Sequence, residues 1–181
     1  MNILDYQPIV KLTAVYPDTV SGFGLNYTYL GILDEYEEYT TERIKLEFHE
    51  EKPSIELRSD YVKECGDLIW YITALCDILK LNTSDILMNK EAIYNNDRNR
   101  IYVIGDLAGN IKKHYRDNKP INKELFTNVL KTLCAEIHTD IEYINSTDID
   151  KITLEEILDV NYKKLINRKE NNKIHGDGSN R

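Results

Sequence analysis

At 181 residues, with 30% charged side chains and a formal net charge of -8, the chain has the size of one ordinary domain and can bury a core without disulfide staples. The acidic balance argues against a nucleic-acid partner, whose phosphates need a basic face. No apolar run approaches the roughly 18 residues of a membrane span, and none follows a basic N-terminal segment in the manner of a signal peptide.

Four prolines and eight glycines, set against abundant Leu, Ile, Lys and Glu, point to an all-α architecture over residues 1–181. Three cysteines is an odd number, and no C-x-x-C spacing occurs. Cys65, Cys76 and Cys134 fall in apolar helical runs, so reduced, buried thiols and a cytoplasmic location are expected.

In chain order, residues 2–15 read as a short helix, interrupted or kinked by Pro8, that ends before Pro17 and covers the bundle. Gly22 and Gly24 mark a loop, after which Asn26 or an earlier residue caps a helix running to about Arg43. Its stripe is Leu25, Tyr29, Ile32, Leu33, Tyr36 and Thr40. Residues 44–57 are charged and contain Pro53, which reads as a connector with a short extended piece from Ile44 to Phe48.

Arg58 to Leu81 is the most periodic segment, with Tyr61, Cys65, Leu68, Ile72, Leu75, Cys76 and Leu79 at three- and four-residue steps. Residues 82–85 offer caps for one further turn, Ile86 to Asn89. Tyr102 to Tyr115 is another helix, with Leu107, Ile111 and His114 on one side, and Ile121 to Ile144 a long amphipathic one. Lys112, Lys113 and Arg116 either complement a helix C-terminus or meet a phosphate or a second subunit. Ile152 to Arg168, with Thr153 as N-cap and Glu156 completing a capping box, is expected to pair with the preceding helix, so that two hairpins form a four-helix core. Tyr27, Asp34 and Trp70 point away from the stripes of their helices, and an outward Trp on so apolar a helix is expected to meet another subunit.

The acids carry the chemistry. Glu35 and Glu38 flank the first stripe and Glu64 and Asp67 the second, on the same relative side, so two helices packed stripe to stripe bring four carboxylates together. Such acids repel, and partial burial raises their pKa values, unless a cation neutralises them. Oxygen-only ligands suit Mg²⁺, with Mn²⁺ the other candidate. Asn161, Lys164 and Arg168, at i, i+3 and i+7, share one helical face and can donate to successive phosphates. No histidine pair has metal spacing, and no G-x-S-x-G or Walker-type loop occurs.

Glu-x-x-Glu, a gap of 25 residues and then Glu-x-x-Asp, within LGILDEYEEY (30–39) and KECGDLIWYITAL (63–75), resembles the MazG-like all-α nucleoside triphosphate pyrophosphohydrolases of phage and bacterial type. Asn161 to Arg168 is similar to that family's N-x-x-K-L-x-x-R, and Gly176 to Arg181 to its G-D-G-x-x-R.

The resemblance covers nearly the whole chain. It implies a helical bundle assembled as a homodimer or homotetramer, and Mg²⁺-dependent hydrolysis of a nucleoside triphosphate between the α and β phosphates. Glu35, Glu38, Glu64 and Asp67 would bind metal, with Glu38 the first choice for a water-orienting base. Lys164 and Arg168 would stabilise departing pyrophosphate, and Asn161, Asp177 and Arg181 would contact the nucleotide. A non-catalytic oligomeric module that binds nucleotide or regulates is the alternative. A pyrophosphatase for another phosphorylated metabolite would share every motif.

Overall fold

A computed structural model of the chain describes residues 1–16, 22–48, 54–94, 100–147 and 151–171, except for the side chains of Ile101 and Thr147. Among these residues it is all-helical: α1 (Ile3–Thr13), α2 (Phe23–Glu47), α3 (Ile55–Leu79), α4 (Thr83–Leu87), α5 (Arg100–Asp117), α6 (Lys123–Thr147) and α7 (Leu154–Glu170). None of these helices is long and apolar enough to cross a membrane.

The caps follow from side-chain chemistry. Asn2, Ser54, Asn82 and Thr153 each turn a side-chain oxygen onto the backbone N–H three residues on, satisfying a donor that the first turn leaves without a partner. Ser54, directly after Pro53, starts α3 at Ile55, three residues ahead of the expected Arg58. The helix closes with Lys80 in the left-handed region (φ 55°) and Leu81 N–H donating to the Cys76 carbonyl at 2.9 Å. The extra turn, α4, is capped by Asn82 and starts at Thr83, three residues ahead of the expected Ile86. α1 continues on both sides of Pro8, burying Ile3, Tyr6, Val10 and Thr13.

The extended piece expected from Ile44 to Phe48 is instead the last turn of α2, which ends at Glu47. Ile32, Tyr39 and Leu46 are buried at seven-residue steps, so the apolar face continues through the charged stretch. Lys45 and Glu47 are exposed, and Lys45 donates across 2.5 Å to Glu42, which lies at the edge of that face.

α3 is the central rod. α2 lies along it, and α7 packs on both α3 and α1. α6 packs with α4 and α5, Phe126, Val129, Leu130 and Leu133 meeting a core that includes Val103, Ile104 and Leu107. The expected α6–α7 hairpin is therefore corrected: α7's main neighbours are α3 and α1. Two glycines permit close crossings. A Cβ on Gly31 would run into the Tyr71 ring, and one on Gly66 would stand 2.8 Å from the Asn161 Cβ.

Trp70 also differs from expectation. It is 7% exposed, covered within its own chain, and its Nε1 donates to the Thr13 Oγ1 at 3.0 Å. The face opposite an apolar stripe is here a second contact face, because α1 lies over it. The three cysteines are free and buried, as their stripes imply.

The far half of α2 is tied to α6 by ions. Glu136, 9% exposed, accepts from Arg43 Nη1 at 2.9 Å and Arg100 Nε at 3.0 Å, and from the Tyr36 hydroxyl at 3.2 Å. Tyr39, fully buried and absent from the expected stripe, donates to Asp140.

Candidate functional site

α2, α3 and α7, with the end of α1, enclose a cleft of about 680 Å³. Glu35, Glu38, Glu64 and Asp67 all line it, with Lys164 and Arg168 on the α7 wall. Two i, i+3 pairs on adjacent helices account for the acids, and an i, i+4 pair for the cations.

Glu35, Glu64 and Asp67 form the tight part of the set: one carboxylate oxygen from each lies within 4.8 Å of the other two. Octahedral Mg²⁺, with oxygens at about 2.1 Å, spaces its ligands by about 3–4 Å, so a group of this size could hold one such ion. Glu38 is exposed and stands beside the three, near enough to bond to the Glu64 carboxyl.

The electrostatics match that crowding. Burial, then the charges of Asp67 and Glu38, raises Glu35 from 4.5 to about 8, against the lowering effect of Lys164. Burial and Asp67 raise Glu64 from 4.5 to about 7. Glu35 Oε2 is buried and has no hydrogen-bond partner among the described residues. Leaving a buried carboxylate oxygen unsatisfied costs about 1–3 kcal/mol, a cost that a bound water or a cation would relieve.

Asp67 is held from behind. Its Oδ1 accepts from the Asn161 Nδ2 at 2.7 Å, and its Oδ2 pairs with the Lys164 ammonium. Asn161 is 1% exposed, and its own Oδ1 accepts from the Tyr6 hydroxyl at 2.6 Å. Asn161 thus positions Asp67 instead of facing the cleft with Lys164 and Arg168, which changes the part expected for it. Asp177 and Arg181 lie outside the described residues.

Several lining residues escaped the sequence reading. Tyr27, Asp34 and Trp70, which leave the stripes of their helices, look into this cleft, and Tyr71 joins them. The Tyr27 and Tyr71 rings lie 5.8 Å apart, and Trp70 meets Tyr71 edge-on at 4.8 Å. Lys63 reaches the rim but is tied to Asp60 at 2.7 Å. Tyr6 had one weak signal: it falls on the apolar face of α1, and a buried tyrosine hydroxyl needs a partner. Lys112, Lys113 and Arg116 do not line the cleft. His114 and His138 are engaged with the Lys119 and Leu87 carbonyls.

Fold and site together define a protein, all-α among the described residues, whose cleft combines clustered carboxylates, the cations Lys164 and Arg168 with Lys63 at the rim, and aromatic rings. No family model, no curated protein and no solved structure matches the chain.

Proposed function

We propose that the protein is a MazG-like, Mg²⁺-dependent nucleoside triphosphate pyrophosphohydrolase, releasing a nucleoside monophosphate and pyrophosphate. The observation that carries this reading is the convergence of Glu35, Glu64 and Asp67 in one cleft, with Glu38 beside them and Lys164 and Arg168 on the facing wall. Packing alone does not call for three carboxylates so close that two of them are pushed up to about 7 and 8.

Glu35, Glu64 and Asp67 would hold the metal, Mg²⁺ or in its place Mn²⁺. When bound, the ion offsets phosphate charge and acidifies a water. Glu38, outside the tight trio, is the acid placed to orient that water and take its proton as oxygen attacks the α-phosphorus. The bond from the α-phosphorus to the bridging oxygen then breaks. Lys164 and Arg168 neutralise the charge gathering on the departing pyrophosphate. The Tyr27 and Tyr71 rings offer apolar surface for a base.

Incubating the protein with a panel of dNTPs and Mg²⁺ and resolving the products tests this directly. Monophosphate and pyrophosphate are expected, with turnover lost in Glu64→Gln. Inorganic phosphate without pyrophosphate, or undiminished turnover in that variant, contradicts the proposal. Nucleotide that binds with metal and never turns over would favour a non-catalytic module. Mg²⁺ should also raise the melting temperature of the wild type by mass action, and do little for Glu35→Gln/Asp67→Asn.

A further inference from the structure

The Tyr6–Asn161–Asp67 chain has only one possible polarity. A carboxylate can only accept, so the Asn161 group facing Asp67 must be the NH₂, and the group facing Tyr6 must be the carbonyl oxygen. The phenol is therefore the donor in the 2.6 Å contact. Burial, followed by the charge of Asp67, raises the Tyr6 pKa well above 10, which keeps that proton in place.

An isolated primary amide is nearly symmetric in shape and can turn over at little steric cost. Turned over, Asn161 would point its oxygen at Asp67 and push the carboxylate away. Tyr6 is fully buried on α1, and its hydroxyl accounts for the amide oxygen. Gly66 lets the Asn161 side chain sit directly against α3, one residue before Asp67.

We infer that Tyr6 is a positioning residue for the metal site: its hydroxyl locks the Asn161 amide in the one orientation that donates to Asp67, so that the Asp67 carboxylate is presented to the cleft with Glu35 and Glu64. This rests on the metal-site reading above. It gives α1 a part in the chemistry, although α1 brings no acid to the trio. Groups hydrogen-bonded behind a metal ligand are commonly worth 10- to 100-fold in metal affinity, and Tyr6 acts one bond further back, so an effect of about tenfold is expected.

The test is a Mn²⁺ titration of the full-length chain, with free ion read by electron paramagnetic resonance. Wild type, Tyr6→Phe, Asn161→Leu, their double variant and Asp67→Asn are compared, with folding checked by circular dichroism. Tyr6→Phe should bind about tenfold more weakly, Asn161→Leu at least as weakly, and the double variant no worse than Asn161→Leu, because the hydroxyl has no amide left to act on.

Affinity in Tyr6→Phe within twofold of wild type, or losses that multiply in the double variant, would overturn the role of Tyr6 while leaving the metal site standing. No Mn²⁺ binding by the wild type, or equal binding by Asp67→Asn, would instead sink the metal reading and this inference with it. If Tyr6→Phe does not fold, the wild-type nitrogen-15 spectrum carries the test. The Asn161 side-chain amide pair, assigned by its loss in Asn161→Asp, should exchange slowly with solvent, and rapid exchange overturns the lock.

Discussion

Raising the pH in the absence of metal should destabilise this protein, and Mg²⁺ should cancel most of the loss. Glu35 has an ordinary pKa of 4.5 and a folded value of about 8. Below about pH 4.5 the carboxyl is protonated in folded and unfolded chains alike and contributes nothing. Between the two values the folded chain holds a proton that the unfolded chain has lost, so stability falls as pH rises, by up to about 1.4 kcal/mol per pH unit. The full penalty, about 5 kcal/mol for Glu35, is reached above about pH 8. Glu64, raised to about 7 but half-buried, adds a smaller amount after solvent screening.

Asp140, raised from 3.8 to about 6 by burial and lying outside the cleft, adds to the fall at lower pH whether or not metal is present. The diagnostic is therefore the difference between denaturation curves in EDTA and in excess Mg²⁺, followed from about pH 5 to about pH 9. Metal must displace the Glu35 and Glu64 protons, so its stabilisation should grow through pH 6–8. At roughly 2–4 °C per kcal/mol for a domain of this size, the EDTA curve should lose on the order of 10 °C. Glu35→Gln should flatten it and, without metal, be the more stable protein at pH 8. A Mg²⁺ effect of equal size at pH 6 and pH 8, or an EDTA curve that is level between them, would refute the reasoning.

Three further outcomes follow from single contacts. Lys164→Met removes the cation paired with Asp67 and should cost about 3 kcal/mol in EDTA at pH 8, largely restored by Mg²⁺, as chemical denaturation would show; an unchanged EDTA stability would mean that the pair carries no weight. Glu136→Gln leaves Arg43 and Arg100 facing a neutral amide and should cost about 3 kcal/mol by denaturant titration, with Mg²⁺ affinity unaltered, since Glu136 does not line the cleft. Gly66→Ala sets a methyl group against Asn161 and should cost about 2 kcal/mol. Because it strains the α3–α7 crossing beside Asp67, Mn²⁺ affinity should fall with stability, and a stability loss alone would separate the crossing from the site.

Much of this arrangement was legible because helical periodicity states which side of a rod is buried. The stripe from Tyr61 to Leu79 located α3, and its phase relative to the α2 stripe placed Glu35, Glu38, Glu64 and Asp67 toward one side before any contact was known. The side-chain cap at Thr153 could be read from residue type, and the one before α4 only as one of residues 82–85. The turn from Ile44 to Glu47 was not, because its charged outer face hid Leu46, and the next helix breaker is Pro53.

Periodicity does not state which neighbour covers a face, and the remaining differences come from that gap. Trp70 lies opposite the α3 stripe, and only the position of α1 turns that side into an interior one. Chain proximity suggested that α7 would fold back on α6, whereas its buried residues Ile157, Leu158 and Asn161 sit in a helix that packs on α3 and α1. That choice of neighbour has a chemical consequence. With α7 on α3, Lys164 and Asn161 both reach Asp67, and with α1 on α7, Tyr6 reaches Asn161. Four acids at helical spacing describe a cluster of charge, but one whose carboxylates are free to swing apart. α7, backed by α1, holds Asp67 in place and sets a counter-charge beside it, so the orientation of the site depends on long-range packing even though its acids are local in sequence.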